Sequence, residues 1–559
     1  MEDMQETAVT EQPSPGMNGA INHPPRRPKN LSENQGVVKA AAILAIGNVT
    51  SRVLGLVREI VKATLFGTSN LLGAYTVAVL VPMTLFNLIV GGEMVSSSLV
   101  PVFSDYVDEE KRQDLWHVVS TFLSLATAVL LGIVLLVQFF TPQVAWLVGA
   151  RNFDDPTLMP ITIELMRLAT PAVLFLSFAS ILTSVLYALK RFTLPAFTAA
   201  IFNGTIVIVA LLRPQHIDSL VWGLLLGSLL QIVLQIPALR DGRFRLQFNW
   251  NHPAIRRILI LYTPIVVGLV VNQIAIWISY NLAILTGDNS VTFMTYATTL
   301  YQFPLGLVVT ALSMATLPTL SQLATAYRFA LQTSQEEAGE KVYAFKETVA
   351  GGLRLVTTLI LPATAGLFAL AVPIVALLLE RGEFTAQDTA TTALVLRIYL
   401  FGMPFAAVDQ MLVFASYARK DTWRPALAGI ISIVIYTFTA WAFLDTLGLL
   451  SLMVADAVKH FVHTLIMLWF LQKQLGGLSG YHIWETTFKT TAAAIFTGLA
   501  AYGMGLLISQ LIPVVGFNGR LLQVVIGGGV GMGVFILLAR LFNIPEAQAL
   551  FKFIRRKIF

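Results

Sequence analysis

The hydrophobic pattern divides the chain into a polar beginning and a long series of apolar runs. Residues 1–35 are polar and rich in proline, which predicts a disordered tail rather than a signal peptide. From Val37 onward, continuous runs of about twenty apolar residues, the length that an α-helix needs to cross a bilayer, alternate with short polar loops. The pattern predicts an all-α polytopic membrane protein with about fourteen spans, at 37–64, 71–103, 116–141, 159–188, 195–213, 218–239, 257–285, 292–322, 348–378, 388–417, 425–444, 448–472, 486–511 and 519–543. The glycine pair Gly91-Gly92 predicts a bend or break in the second span.

Composition supports this interpretation and narrows the function. Of the 559 residues, 56% are hydrophobic and only 12% are charged, about half the charged share of a soluble protein. That balance excludes a soluble enzyme, a nucleic-acid-binding protein and a disordered protein. The absence of cysteine removes disulfides, thiolate metal sites and cysteine nucleophiles. No Walker A, GxSxG or HExxH motif occurs, so we expect neither an enzyme nor a cofactor or metal, and transport would run on an ion gradient, the membrane potential or the substrate's own gradient.

The basic residues predict the orientation of the spans. With the N-terminus placed inside, twenty-three Lys and Arg residues fall in inside segments and four in outside loops. Positive charge concentrates on the cytoplasmic side of membrane proteins. We therefore expect both termini to be cytoplasmic.

An internal repeat predicts how the spans are grouped. The pattern Y-A-x-K-x-x-x-x-P-A occurs after span four, at 187–196, and after span ten, at 417–426. A weaker echo pairs 99–104 with 316–321, after spans two and eight. The offset of six spans predicts two six-helix lobes of like orientation, at 36–241 and 255–475. Two additional helices at 485–545 and a basic cytoplasmic tail at 546–559 complete the predicted organisation.

Span one carries polar residues on one helical stripe: Asn48, Arg52, Gly55, Glu59 and Lys62. Their spacings of four and three residues place them on one face. Ionisable groups inside a membrane are costly, which favours a water-filled cavity that meets a charged substrate. Snorkelling at a helix end is the alternative, and it suits Lys62 better than Arg52.

Arg58 lies about 120° from Arg52 around the helix, so we expect it to face the other lobe or the headgroups.

Span twelve carries a second polar group on one helix face: Asp456, Lys459, His460 and His463. Two interpretations stay open. The group either relays a proton or cation, or it is a self-neutralised patch packed between helices. Arg354, near the inner end of span nine, is a further candidate for gating, with snorkelling as the alternative. His460 and His463 lack a third ligand and do not predict a metal site.

Several motifs resemble the MurJ/MviN lipid II flippases of the multidrug/oligosaccharidyl-lipid/polysaccharide exporter superfamily. The resemblance covers about residues 37–545 and is carried by SRVLGLVRE at 51–59, VPVF at 100–103, KRF at 190–192, QFPLG at 302–306 and GEFT at 382–385. It implies two six-helix lobes around a cationic cavity, two extra helices and a place in the bacterial plasma membrane. It also implies Arg52, Arg58, Glu59 and Asn48 as residues that bind an undecaprenyl-pyrophosphate-linked precursor, lipid II, during peptidoglycan synthesis.

The chain departs from the family pattern at several charged positions. Gly73 replaces an acidic residue, residues 83–88 lack the paired arginines of span two, Thr298-Thr299 replaces Asp-Arg, and Gln410 replaces a lysine. Two alternatives therefore stay open beside the flippase: an exporter of another lipid-linked saccharide or drug, and a membrane scaffold without transport that recruits cell-wall or division proteins through residues 1–35. Membrane lipids are expected partners in each case, and nucleic acid in none.

Overall fold

A computed structural model describes residues 31–333, 335–512, 514 and 516–558, and its regular elements are all helical. The α-helices are α1 (Leu31–Phe66), α2 (Asn70–Val90), α3 (Gly92–Met94), α4 (Val100–Ser104), α5 (Arg112–Phe139), α6 (Thr141–Leu147), α7 (Leu158–Ala169), α8 (Ala172–Ala188), α9 (Thr198–Leu212), α10 (Asp218–Gln235), α11 (Pro253–Ile284), α12 (Ser290–Pro304), α13 (Thr310–Thr333), α14 (Gln335–Ala369), α15 (Ala371–Leu379), α16 (Ala386–Leu400), α17 (Met403–Ala418), α18 (Trp423–Ala442), α19 (Leu444–Leu447), α20 (Leu450–Leu475), α21 (Ile483–Leu511), α22 (Gly516–Leu541) and α23 (Pro545–Ile558).

The helices have the lengths that membrane spans require. Among the described residues, twelve helical stretches are long and apolar enough to cross a bilayer, and α16 and α17, bent by 46°, make a thirteenth as a pair. α1 adds 36 residues, about 54 Å at 1.5 Å per residue, and so has the length of a further span. The predicted all-helical, polytopic fold class is confirmed. The helices at predicted spans eight and nine are longer than expected. α13 continues beyond its apolar run to Thr333, and α14 begins before its apolar run, at Gln335.

The helix termini define two ends of the molecule. We call the end that carries Arg191, Arg256, Arg328 and Arg419 the basic end, and the other, which carries Phe66, Asp154, Asp288 and Gly382, the opposite end. α1 runs from the basic end to the opposite end, and successive spans alternate in direction.

Among the described residues, the apolar interior of α1–α20 consists of one large core at the opposite end and two smaller cores at the basic end, and two further small clusters join α21–α23 to one another and to α14. The large core joins residues of α1 and α2, such as Ala63 and Val77, to residues of α12 and α16, such as Tyr296 and Leu396. One basic-end core lies among α4, α5, α8 and the start of α11, and the other among α13, α14, α17 and α20. The N-terminal helices (α1–α10) and the C-terminal helices (α11–α20) are therefore packed together at the opposite end. At the basic end the start of α11 packs with the N-terminal helices, and α13, α14, α17 and α20 form an interior of their own. The division at 36–241 and 255–475 stays a prediction.

Polar contacts join the two groups of helices at the opposite end. The Tyr296 hydroxyl donates to the Gly67 carbonyl at 3.1 Å, and the Glu383 amide donates to the Thr64 carbonyl at 3.0 Å. Thr68 Oγ1 donates to Asp388 Oδ1 at 2.5 Å. We call these contacts the opposite-end seal. A second set lies beside it, where the Asp288 carboxylate accepts from the amides of residues 154 and 155 at 2.7 and 3.2 Å.

Two spans are interrupted in related ways. α2 ends at Val90, Gly91 is extended, and a π-helical segment follows at Val95–Leu99, which confirms the predicted break. A second π-helical segment, Leu305–Val309, follows Pro304.

The motif repeat also has a structural counterpart, because Lys190 and Lys420 occupy the same left-handed backbone conformation, with φ of 57° and 62°. L residues with side chains rarely adopt this conformation.

The C-terminal part of the chain adds three helices. α21 packs against α14 and pairs with α22, as predicted for two additional spans at 485–545. The predicted basic tail at 546–559 is helical over its described residues, as α23. Of the predicted disordered tail at 1–35, residues 1–30 lie outside the described residues and the last five belong to α1.

Replacing Gly382 is expected to weaken the opposite-end seal. Gly382 has φ of 59°, and a Cβ there would overlap the Thr64 carbonyl oxygen. Gly382→Ala should therefore lower the free energy of unfolding by more than the roughly 1–2 kcal/mol that left-handed backbone alone costs an alanine. The thermal unfolding midpoint of the purified protein measures this. Gly429→Ala is the control, since its helical position has no atom within 4 Å of the added Cβ. An unchanged midpoint in Gly382→Ala would contradict the packing described.

Candidate substrate site

A polar cavity lies between the two groups of helices, on the basic side of the large core. Its volume is about 370 Å³. α1 contributes Arg52, Gly55, Arg58 and Glu59 to its wall, and α12, α14 and α15 contribute apolar and polar side chains that include Thr299, Gln302, Phe303, Leu367 and Ile374. The cavity therefore combines charged groups on one wall with a largely apolar wall opposite.

Glu59 holds two cations in place. Its Oε1 accepts from Arg58 Nη2 at 2.8 Å and from Arg58 Nε at 3.0 Å, and its Oε2 accepts from Lys62 Nζ at 2.8 Å. Arg58 Nη1 also donates to Asn203 Oδ1 of α9 at 2.9 Å. Glu59 is only 3% exposed, so its charge is satisfied by these partners rather than by water. The group of Arg58, Glu59 and Lys62 keeps one net positive charge.

Arg52 is held more loosely than Arg58. Its Nε donates to Asn48 Oδ1 at 3.3 Å, and its Nη2 donates to the Gly306 carbonyl at 3.4 Å. Both distances are long for hydrogen bonds of a charged donor. Within the part of the chain that the structure describes, Arg52 forms no ion pair. It is thus a half-buried guanidinium in the cavity wall with unused capacity to bind an anion.

The QFPLG motif shapes the wall that Arg52 meets. The π-helical turn at 305–309 begins directly after Pro304, which has no amide hydrogen to donate. A Cβ at position 306 would come within 2.4 Å of the Arg52 guanidinium, so a larger residue there would push this flexible group aside. The motif therefore has a physical role that sequence analysis did not assign to it.

The structure brings together most of the predicted stripe of span one. Arg52, Gly55 and Glu59 line the cavity, Asn48 contacts Arg52, and Lys62 lies behind Glu59, 6% exposed, rather than snorkelling. Arg58 also lines the cavity, across from the C-terminal helices, while its guanidinium donates to Glu59 and Asn203 within the N-terminal helices. Its part in binding a substrate stays a prediction. Asn203 was missed, since an asparagine in an apolar helix has no signal for its partner in sequence alone.

The span-twelve residues form a separate polar cluster away from the cavity. Lys459 Nζ pairs with Asp456 Oδ1 at 2.5 Å, and His460 Nε2 lies 3.7 Å from Asp456 Oδ2. His463 Nδ1 lies 2.5 Å from Asp409 Oδ1 of α17. The cluster is internally paired, and Asp409 is the partner that the sequence pattern on one helix could not reveal. Its role as a relay or gate stays a prediction.

Arg354 lies outside the cavity and joins three parts of the C-terminal region. Its Nε binds Glu546 of α23 at 2.5 Å, its Nη2 binds Glu347 at 3.0 Å, and its Nη1 donates to the Tyr481 carbonyl at 2.5 Å. The side chain is 16% exposed, so it is clamped by protein partners rather than snorkelling.

At three positions where the family pattern has a charged residue, this chain has an uncharged one. Thr299 lines the cavity, and Gln410 Nε2 donates to Thr310 Oγ1 at 3.0 Å. A Cβ on Gly73 would come within 2.5 Å of the Asp288 carbonyl oxygen, so this position is closely packed. Within the described residues, no group of three or more His, Asp or Glu side chains is placed to hold a metal ion.

Two groups of membrane helices with a shared core at one end and a charged cavity between them define a membrane transporter. Solved structures agree on the fold. The chain superposes on a "Lipid II flippase MurJ, inward closed conformation" with a TM-score of 0.72 and 22% identity, over 90% of this chain and 98% of that one. The chain also superposes on an inward-facing multidrug resistance MATE family transporter of the MOP superfamily, with a TM-score of 0.60 and 14% identity, over 78% of this chain and 98% of that one.

The sequence comparisons identify the family. The lipid II flippase MurJ family model matches residues 62–521. The probable lipid II flippase MurJ of Vibrio cholerae is 28% identical over 91% of this chain and 97% of its own. The probable lipid II flippase MurJ of Bdellovibrio bacteriovorus is 28% identical over 80% of this chain and 84% of its own length. The lipid II flippase MurJ of Burkholderia cenocepacia is 26% identical over 78% of this chain and 84% of its own length. The chain belongs to the MurJ family of lipid II flippases. It is accordingly a multi-pass protein of a bacterial inner membrane, in a family of transporters.

The span-twelve cluster generates a stability prediction. Asp456→Asn leaves Lys459, whose side chain is 27% exposed, without its carboxylate, and the free energy of unfolding should fall by about 3 kcal/mol. The double variant Asp456→Leu with Lys459→Met should recover most of that loss. Thermal unfolding of the purified protein checks both, with Asp445→Asn on the exposed helix α19 as the matched control. Equal midpoints for Asp456→Asn and wild type would show that the pair does not stabilise the fold.

Proposed function

We propose that this protein moves lipid II from the cytoplasmic to the outer leaflet of the inner membrane, as a step of peptidoglycan synthesis and cell-wall growth. The observation that carries the proposal is Arg52, a guanidinium without an ion pair among the described residues, in a cavity between two groups of helices of a MurJ-family chain. A polyprenyl pyrophosphate combines an anion that needs such a partner with a tail that can stay in lipid.

Arg52 is proposed to bind the pyrophosphate directly. A guanidinium presents two parallel N–H donors to phosphate oxygens, and the bond is stronger where water is scarce. The guanidinium of Arg58 is proposed to supply further N–H donors. Glu59 fixes the orientation of Arg58 and offsets part of the positive charge that Arg52, Arg58 and Lys62 together bring to the wall. Asn48 is proposed to hold Arg52 in place until the anion arrives.

The basic end is proposed to face the cytoplasm, with both termini on that side. The concentration of Lys and Arg at that end supports this orientation. In this orientation the opposite-end seal is proposed to close the cavity toward the outside, so that the cargo enters from the cytoplasmic side. Release outward requires the opposite-end seal to part and the basic ends to approach each other.

A second candidate is the export of another lipid-linked saccharide. The neutral residues Thr299 and Gln410, at positions where the resemblance expects charge, favour a cargo with fewer phosphate charges than a pyrophosphate. Recruitment of cell-wall or division proteins through residues 1–35 remains a further proposal, compatible with either cargo.

Removal of Arg52 tests the flippase proposal. Arg52→Ala should abolish growth of a bacterium depleted of its own lipid II flippase and carrying this protein, while the wild-type chain restores it. Arg52→Lys should rescue poorly, because an ammonium cannot make the bidentate contact. Membrane abundance is measured alongside, and Arg151→Ala, in an exposed turn at the opposite end, is the control.

The outcomes of that experiment are distinct. Normal growth with Arg52→Ala would remove Arg52 from the site. Failure of the wild-type chain to restore growth, despite correct insertion, would favour the second cargo or a scaffold without transport.

The orientation has its own test, since the chain contains no cysteine. Arg243→Cys in the loop between α10 and α11 should not react with a membrane-impermeant thiol reagent in intact cells, and should react after permeabilisation. Asp154→Cys at the opposite end should react in intact cells. The reverse pattern would overturn the proposed orientation.

A further inference from the structure

A second cavity, separate from the substrate site, lies at the basic end of the C-terminal helices. It has a volume of about 440 Å³ and is lined by the ends of α13, α14 and α20 and by the turn between α17 and α18. Four basic side chains surround it, Arg328, Arg419, Lys420 and Arg424, against a single carboxylate, that of Asp421. The cavity is therefore strongly cationic.

The one carboxylate in this cavity is already occupied. Asp421 Oδ2 accepts from Arg424 Nη1 at 2.7 Å and from Gln474 Nε2 at 3.2 Å. Arg419 Nη1 donates to the Gln474 side-chain oxygen, and Arg328 Nη2 donates to the Arg419 carbonyl. Arg328 and Arg419 thus have neutral acceptors, and within the described part of the chain neither has an ion pair.

Arg419 is the more enclosed of the two. Burial lowers the pKa of Arg419 from its ordinary value, and the positive charges of Arg424 and Arg328 act in the same direction, partly opposed by Asp421. An arginine stays charged nonetheless. A partly buried guanidinium of this kind gains from an anion in contact with it.

In the N-terminal helices, a carboxylate pairs with two arginines beside the turn of the first repeat. There the repeated turn at Lys190 is followed by Arg191, whose Nη1 binds Asp241 Oδ1 at 2.9 Å. Arg112, at the start of α5, lies 3.9 Å from the other oxygen of the same carboxylate. One carboxylate thus bridges two arginines in the N-terminal helices, whereas in the second cavity the one carboxylate, Asp421, pairs with Arg424 and leaves Arg328 and Arg419 with neutral acceptors.

We propose that the cavity among Arg328, Arg419 and Arg424 binds a phosphate group. Guanidinium groups bind phosphate oxygens in bidentate fashion, and three of them line this cavity, of which Arg328 and Arg419 have no ion pair among the described residues. The source is either the headgroup of an anionic phospholipid or a soluble phosphate. The rim carries Trp423, 71% exposed, and Trp469 lies nearby on α20, 56% exposed; tryptophans are typical of the membrane–water interface, which gives a headgroup access to the site.

Gln474→Glu tests the proposal, because it places a carboxylate against Arg419 without changing the shape of the side chain, although it also removes the bond that Gln474 Nε2 donates to Asp421. The full-length protein is reconstituted in phosphatidylcholine nanodiscs, and its thermal unfolding is followed at constant ionic strength. One arm titrates sodium phosphate, and the other replaces phosphatidylcholine with phosphatidylglycerol in phosphate-free buffer. We expect a rise of the unfolding midpoint that saturates in at least one arm.

In the responding arm, Gln474→Glu and the double variant Arg328→Gln with Arg419→Gln should each raise the half-saturating concentration at least about tenfold. Arg257→Gln, which removes an exposed arginine paired with Asp105 at the same end, should change it less than about twofold. Saturation with phosphatidylglycerol alone identifies a lipid headgroup, and saturation with sodium phosphate identifies a soluble phosphate.

Two results would overturn the proposal. One is the absence of a saturable response in both arms. The other is a response that Gln474→Glu leaves unchanged, since that would arise from general charge screening at the basic end. Because neither readout involves transport, failure here leaves the flippase proposal standing, and normal growth with Arg52→Ala would leave this one standing.

Discussion

The cost of holding charged side chains within an apolar layer is the constraint on which this structure depends. Each such group must be paired, hydrated or placed where a ligand completes it. Glu59 meets this requirement for Arg58 and Lys62, Asp456 meets it for Lys459, and Asp409 meets it for His463. Arg52 differs, because its neighbours are an amide oxygen and a backbone carbonyl at more than 3.2 Å. The cavity between the two groups of helices leaves room beside Arg52 for the partner that the protein does not supply.

The packing of the two groups places this arginine where a transporter needs it. A continuous apolar core and the opposite-end seal hold α1 and α2 against α12 and α16, so the cavity is closed on that side. Closure depends on close backbone approach, as at Gly67 and Gly382, where a Cβ would meet the other group of helices. Backbone contacts of this kind are either formed or broken as the helices move as rigid bodies, which suits a transition between two states better than a gradual deformation.

The sequence predicted the fold well because long apolar runs, basic loops and repeated motifs are local signals. The breaks at Gly91 and the related turns at Lys190 and Lys420 were likewise visible in the chain. The site was predicted in part: the stripe of α1 has helical periodicity, so Arg52, Gly55 and Glu59 could be placed on one wall. Asn203, Gly306 and Asp409 could not be assigned, because their partners lie on other helices, and a pattern along one helix carries no information on what packs against it. The partner of Arg354 could not be found for the same reason, since Glu546 is 192 residues away, and a role of Arg354 in gating stays a prediction.

The central claim is that the opposite-end seal must open each time the anion bound at Arg52 crosses the membrane. The most direct measurement is lipid II translocation in proteoliposomes by the double variant Thr68→Cys with Asp388→Cys, whose parent side chains touch at 2.5 Å in an otherwise cysteine-free chain. Joining the two thiols with a short, cleavable bifunctional reagent should stop translocation, and cleavage of the reagent should restore it, whereas each single variant treated in the same way stays active. Undiminished translocation by the fully joined protein would contradict the account.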